Sequence, residues 1–191
     1  HADRERFDLE AALHQALDRQ ELLLHYQPIV DPRTRRLAGV EALMRWQRED
    51  RLLSPGAFIP IAEETGLVYR MGEWAVGEAL RQVRRWRDEG LPVPTVSVNI
   101  HVRHLERPGF VDDVREALET SALEPSALEL ELTETGVMRD VEHSLDALRG
   151  LKRLGVRLDP PRHGEHTDAL LRELGYDDAR IAALRASRAV A

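Results

Sequence analysis

Between residues 71 and 159 the chain keeps switching between a helical and a strand period. That alternation restricts the fold more than any other feature. Residues 71–89 read as an amphipathic helix: Ala75, Ala79, Gln82 and Trp86 share one side, and Val76, Leu80 and Val83 the next. LPVPTVSVNI (91–100) enters a strand through prolines. FVDDVREALETS returns to the helical period, with Val111, Val114 and Leu118 inward. ALELELTE (127–134) alternates apolar and acidic side chains, which is a strand signature. DVEHSLDALRGLKRLG (140–155) is helical again, with Asp140 as N-cap and Gly155 as stop, and VRLD (156–159) begins another strand. The order α, β, α, β, α, β implies a parallel sheet, and such sheets gather ligands at the C-terminal ends of their strands.

The front of the chain has a different rhythm. Residues 7–20 place Leu9, Leu13, Ala16 and Leu17 on one helical stripe. ELLLHYQPIV (21–30) and RLAGVEALMRW (36–46) read as two strands. Only DPRTR separates them, so they form an antiparallel hairpin. SPGAFIPIAEETG (54–66) reads as a loop feeding a short helix that stops at Gly66. Within GVEALMRW (39–46), Glu41 and Arg45 place a carboxylate and a guanidinium in an otherwise apolar strand. The plain explanation is a strand end with its polar residues turned to water. The sharper one is a carboxylate that grips a metal, with an arginine nearby for phosphate. Glu41, Asn99 and Glu131 all lie at or near strand ends, so three oxygen-bearing side chains converge on one rim. Glu129 competes with Glu131, because both alternate with the apolar residues of their strand.

Composition narrows the function classes. A chain of 191 residues can bury one real core. Its net charge of -7 disfavours a broad nucleic-acid or membrane surface. The absence of cysteine excludes disulfides, thiolate zinc sites and cysteine nucleophiles, and suits a cytoplasmic location. No apolar run approaches the roughly 20 residues of a membrane span. The opening HADRERFD is charged and has no leader pattern; a start at His reads as a piece of something longer. Two histidine pairs, His101 with His104 and His163 with His166, lack a third placed ligand and read as solvated rather than metal-binding. Arg81, Arg84, Arg85 and Arg87 read as a solvated helix face, not an RNA-binding strip. Trp74 and Trp86 read as core or partner contacts.

Five blocks occur in order: ELLLHYQPIVD, GVEALMRW, FIPIAEETGL, VSVNIHVRHL and LELELTETGVM. Together they resemble the EAL domains, bacterial phosphodiesterases that linearise cyclic di-GMP. The spacing is family-like, with 58 residues from Glu41 to Asn99 and 32 from Asn99 to Glu131. The resemblance implies an α/β fold, a TIM-type barrel whose first strand runs antiparallel. It also implies two Mg²⁺ or Mn²⁺ ions at the strand ends, suited to in-line displacement at a phosphodiester. By the same resemblance Glu41, Asn99 and Glu131 match metal ligands. Arg45 matches a phosphate contact, Leu43 lines the guanine side, Gln27 lies near the ligand and Glu134 supports the metal ligands. Cyclic di-GMP is the expected partner, with an upstream sensory or GGDEF domain and a homodimer as further expectations.

The resemblance fails after GVRL. The family continues with a D-D-F-G-T-G block whose paired acids would fall at 161 and 162, where this chain has Pro161 and Arg162. Asp159 lies two residues early, Asp177 and Asp178 follow no strand, and neither set is expected to replace the pair. The later K-I-D and E-G-V-E blocks and a final Gln are also missing, and the last lysine is Lys152. The expectation is therefore a partial, half barrel that holds at most one ion and has little or no phosphodiesterase activity, because parts that act as a unit fail together. The chain divides into an N-terminal helix and linker (1–20), a truncated domain (21–159) and an unrelated helical tail (160–191) with short helices at 167–174 and 177–188. The tail faintly resembles the C-terminus of class III CoA-transferases, as in a fusion of two coding sequences.

Overall fold

Helix α1 (Ala2–Ala16) comes first, followed by the hairpin of β1 (Leu22–Val30) and β2 (Leu37–Arg48). The computed structural model describes residues 2–133 and 141–159 and the positions 172, 177, 179 and 180; Glu134, Asp140, Pro161, Arg162, His163, His166 and the two expected tail helices lie outside the described residues. β1 and β2 pair antiparallel from Leu22 opposite Trp46 to Val30 opposite Leu37. β2 then runs past its expected end and turns through Glu49 and Asp50 into β3 (Arg51–Leu53), a short antiparallel strand with no counterpart in the sequence reading. The turn is tight and Glu49 adopts a positive φ of 52°. Its sequence carries none of the glycine or asparagine that marks such turns.

Segment 54–66 is more helical than its prolines suggest. α2 spans Pro55–Thr65, with Ser54 at its N-cap, Pro60 inside and Gly66 closing it at φ 76°. Proline at the first helical position is favourable; Pro60 removes one interior hydrogen bond. Phe58, Ile61 and Ala62 are buried, which offsets that loss. α3 (Leu67–Asp88) follows at once and starts four residues before its expected limit. The βα order continues as read, with β4 (Val96–His101), α4 (Phe110–Ser121), β5 (Leu128–Thr133), α5 (Val141–Leu154) and β6 (Arg157–Asp159).

The sheet order is β1-β2-β4-β5-β6, with β3 beside β2. β2, β4, β5 and β6 are mutually parallel and β1 runs against them. This is an α/β fold with an open, mixed sheet, the partial barrel with an antiparallel first strand that the sequence implied. One core lies between the sheet and helices α3 to α5; Val98, Ile100, Leu128, Leu130, Leu80 and Leu151 are essentially sealed in it. A second packs α1, α2 and the start of α3 around Trp46 and Phe58. Among the described residues no helix is long and apolar enough to cross a membrane.

Three of the four arginines on α3 behave as a solvated face. Arg81 pairs with Glu78, Arg84 with Asp88, and Arg85 with Glu78 and Gln82. Arg87 does not. Its guanidinium donates to the Val93 and Pro94 carbonyls, both at 3.1 Å, and bidentately to Glu124 at 2.8 and 2.9 Å. It ties the end of α3 to the entrances of β4 and β5. Trp74 and Trp86 pack on the core, Trp86 edge-on to Tyr26 at 4.8 Å.

The two histidines of the first pair are buried, not solvated: His101 is 5% exposed and His104 is fully buried. A 3-10 turn (Val102–Glu106) folds them inward. His104 Nδ1 lies 2.9 Å from the His101 carbonyl and Nε2 3.3 Å from that of Tyr69, and burial lowers its pKa to about 4. Gly72 makes room for this ring. A Cβ there would meet His104 Nε2 at 2.3 Å and Cε1 at 2.9 Å. Gly72→Ala is therefore expected to destabilise the fold by about 1–3 kcal/mol through overpacking. Gly77→Ala, in the same helix with only an arginine tip 3.8 Å away, is expected to stabilise it by about 0.5–1 kcal/mol. Denaturant titration of both variants checks the opposite signs.

Candidate metal and nucleotide site

Strand register places the polar residues in two adjacent rows. Side chains of directly paired residues point to the same side of a sheet. Gln27 pairs with Glu41, Glu41 with Ser97, Ser97 with Glu129 and Glu129 with Arg157, forming one row across five strands. Two residues nearer the C-terminal ends, Asn99 pairs with Glu131 and Glu131 with Asp159. The opposite face carries Val98, Leu130 and Leu132, all buried against the helices. Apolar alternation thus drives the strands onto the core and leaves the acids together on the other face.

The rows are joined by contact. Asn99 Nδ2 donates to Glu41 Oε1 at 3.0 Å. Carboxylate oxygens of Glu129, Glu131 and Asp159 lie within 4.8 Å of one another. Partial burial raises the Glu131 pKa, with the negative charges of Glu41 and Asp159 adding to it and a Ser97 hydrogen bond pulling the other way. Burial also raises the Glu129 pKa; Asp159 adds to the shift and Arg157 opposes it. Half-buried acids that raise one another's pKa are a donor set suited to a hard divalent cation, which takes oxygen ligands.

The structure brings together Glu41, Asn99 and Glu131 as the sequence suggested, and adds Asp159. Asp159 was set aside for lying short of the expected acid pair. Parallel pairing of β6 with β5 nevertheless seats it opposite Glu131. The alternation of VRLD, with Val156 buried and Arg157 and Asp159 on the other side, was the signal that could have found it. Gln27 sits in the Glu41 row on an exposed stretch of β1. Leu43 shares the Glu41 face and lines a cavity of about 460 Å³ beside the rim. Arg45 follows two residues on, half-buried, its Nη1 donating to the Met44 carbonyl at 2.8 Å.

A parallel α/β sheet with a reversed first strand, carrying a cluster of oxygen donors near its strand ends, defines a barrel-type domain with a candidate cation site. The chain belongs to the EAL domain family, which matches residues 10–159. It is 43% identical over 168 residues to the bifunctional diguanylate cyclase/cyclic di-GMP phosphodiesterase MucR of Pseudomonas aeruginosa, covering 87% of this chain and 24% of that protein. It is 35% identical over 180 residues to the cyclic di-GMP phosphodiesterase NbdA of the same organism, covering 93% and 23%. The chain thus spans about a quarter of the length of these relatives. The solved PaMucR phosphodiesterase, in complex with c-di-GMP, superposes with a TM-score of 0.74 at 36% identity, covering 94% of this chain and 80% of that one. The FimX EAL domain of Xanthomonas citri, also in complex with c-di-GMP, gives 0.74 at 26% identity, with 90% and 68% covered. The family is metal-dependent, and the acidic cluster fits that chemistry.

Proposed function

We propose that this chain binds cyclic di-GMP at a divalent-cation site of the EAL type and turns it over little or not at all. The observation that carries the reading is the cross-strand row of Asn99, Glu131 and Asp159, tied to Glu41 by the Asn99 amide. Glu41, Glu131 and Asp159 would hold one Mg²⁺ or Mn²⁺ with the neutral Asn99. In such sites the cation polarises the phosphodiester and lowers the pKa of a bound water. The chain's own residues position the substrate: Leu43 offers an apolar wall and Arg45 a guanidinium on the Glu41 face. Low turnover follows from Pro161 and Arg162 standing where the resemblance expects two acids. A proline and a guanidinium supply no carboxylate to bridge a second metal or to accept a proton from a water.

The MucR relative is named for both a cyclase and a phosphodiesterase activity. We extend the reading to an upstream GGDEF or sensory domain as partner. Calorimetry with cyclic di-GMP and Mn²⁺, followed by chromatography for linear product, tests the proposal. Binding is expected, with turnover at least about 10³-fold below that of a complete site. Robust linear product would reject the low-turnover reading. Arg45→Ala is expected to weaken binding about 10-fold through loss of a charge-assisted hydrogen bond. An unchanged affinity would remove Arg45 from phosphate recognition.

A further inference from the structure

The cavity beside the acidic rim has apolar walls, among them Leu43, Met44, Ile59 and Pro60. Its volume, about 460 Å³, lies in the ordinary range for a small-molecule site. Two of its lining residues, Glu63 and His101, are outside every role assigned above. Glu63 comes from α2 and His101 from the end of β4, and their elements converge at the mouth of the sheet. Glu63 Oε1 lies 3.7 Å from His101 Nε2; the two side chains are 23% and 4% exposed.

The hydrogen bonding of His101 fixes its proton. The Arg103 backbone N–H donates to His101 Nδ1 at 3.1 Å. A neutral imidazole that accepts at Nδ1 carries its hydrogen on Nε2. That is the nitrogen facing Glu63. The ring therefore turns an N–H toward the carboxylate, across 3.7 Å that is longer than a hydrogen bond, and is itself held by the turn that follows β4. A carboxylate in an apolar slot, facing a buried N–H, is a reader of N–H donors.

We infer that Glu63 reads the base of the bound dinucleotide and that His101 is the positioning residue that holds its carboxylate. The inference rests on the cyclic di-GMP reading above and deepens it. Guanine offers a ring N–H and an exocyclic amino group on one edge, and a carboxylate accepts from both. Adenine has a bare ring nitrogen at the corresponding place, and two facing acceptors repel. Hypoxanthine keeps the ring N–H and lacks the amino group. A site built around such hydrogen bonds rejects analogues that cannot make them.

The test is calorimetry of the full chain, with Mn²⁺ present, against three cyclic dinucleotides carrying guanine, hypoxanthine or adenine. The wild type is expected to bind the guanine form about 10-fold more tightly than the hypoxanthine form and about 100-fold more tightly than the adenine form. Glu63→Gln should erase most of this discrimination. His101→Leu should narrow it, and His101→Gln, which restores an N–H donor near the Nε2 position, should recover it; a merely structural role would give no such rescue. Mn²⁺ uptake reports whether each variant retains its fold. If Glu63→Gln loses it, Glu63→Ala provides the same comparison, and loss of discrimination in either folded variant is the expected result. Equal affinities on the wild type, or full discrimination in a folded Glu63→Gln, overturn the inference and leave cyclic di-GMP binding intact. A wild type that binds none of the three overturns both.

Discussion

Replacing Glu131 by glutamine is expected to make the protein more stable at neutral pH and to weaken the stabilisation by divalent cations that the proposed site predicts. Partial burial raises the Glu131 pKa, and so do the charges of Glu41 and Asp159. A carboxylate whose pKa is higher folded than unfolded binds its proton more tightly in the native state. Its contribution to stability is fully present below the ordinary glutamate value of 4.5 and is lost as pH rises through the raised folded value. At neutral pH the wild type therefore carries an unfavourable charge that Glu131→Gln removes. Because the carboxylate is only half-buried and solvent screens its charge, the gain is expected to be about 0.5 kcal/mol, or about 1–2 °C in Tm, and to vanish on acidification below that window. Saturating Mn²⁺ should reverse the order. At a hundred times its Kd a cation stabilises the native state by about 2.7 kcal/mol, and a variant that has lost a ligand receives much less. Thermal melts of both proteins at neutral and acidic pH, with and without Mn²⁺, give all the required comparisons. A glutamine variant that is less stable than wild type without metal, or equally stabilised by Mn²⁺, would reject the role given to Glu131.

That repulsion explains why the site was legible where it was. The alternation of Leu128, Leu130 and Leu132 with Glu129 and Glu131 has one physical solution in a sheet packed on helices, so the acids had to share the other face. The long period of α3 and the stops at Gly66 and Gly155 were equally plain, because each rests on local chemistry. What could not be read locally depended on partners distant in the chain. Asp159 joins the site only through parallel register with β5. Arg87 looks like its neighbours on α3, yet the loop entering β4 and Glu124 arrive beside it. His101 and His104 are polar by type, and burial comes from the 3-10 turn and from Gly72 on another helix. β3 was hidden by a turn whose residues carry no hairpin signature.

The two cores also divide the site, and Trp46 shows how. Trp46→Ala is expected to destabilise the protein by about 3–5 kcal/mol, a fall in Tm on the order of 10 °C. The indole is fully buried, packs edge-on to Phe58 at 5.9 Å and donates from Nε1 to Glu21 Oε2 at 3.0 Å. Trp46→Phe keeps most of the apolar contact and loses the N–H, so it should cost about 1 kcal/mol. The functional consequence separates the ligands. Trp46 anchors the core that holds α2, and α2 supplies Ile59, Pro60 and Glu63 to the cavity. Glu131 and Asp159 stand on β5 and β6, whose apolar face belongs to the other core. In conditions where Trp46→Ala is still folded, its affinity for cyclic di-GMP should fall by about 10-fold or more while Mn²⁺ affinity changes by less than about 3-fold, since sites on independent packing units respond independently. Denaturant titration gives the stability change, and calorimetry with each ligand gives the split. Parallel losses of cation and nucleotide would mean that the acidic rim and the cavity form one cooperative unit. Selective loss of the nucleotide would mean that α2 is a separable wall, and that base recognition and cation binding can be altered one at a time.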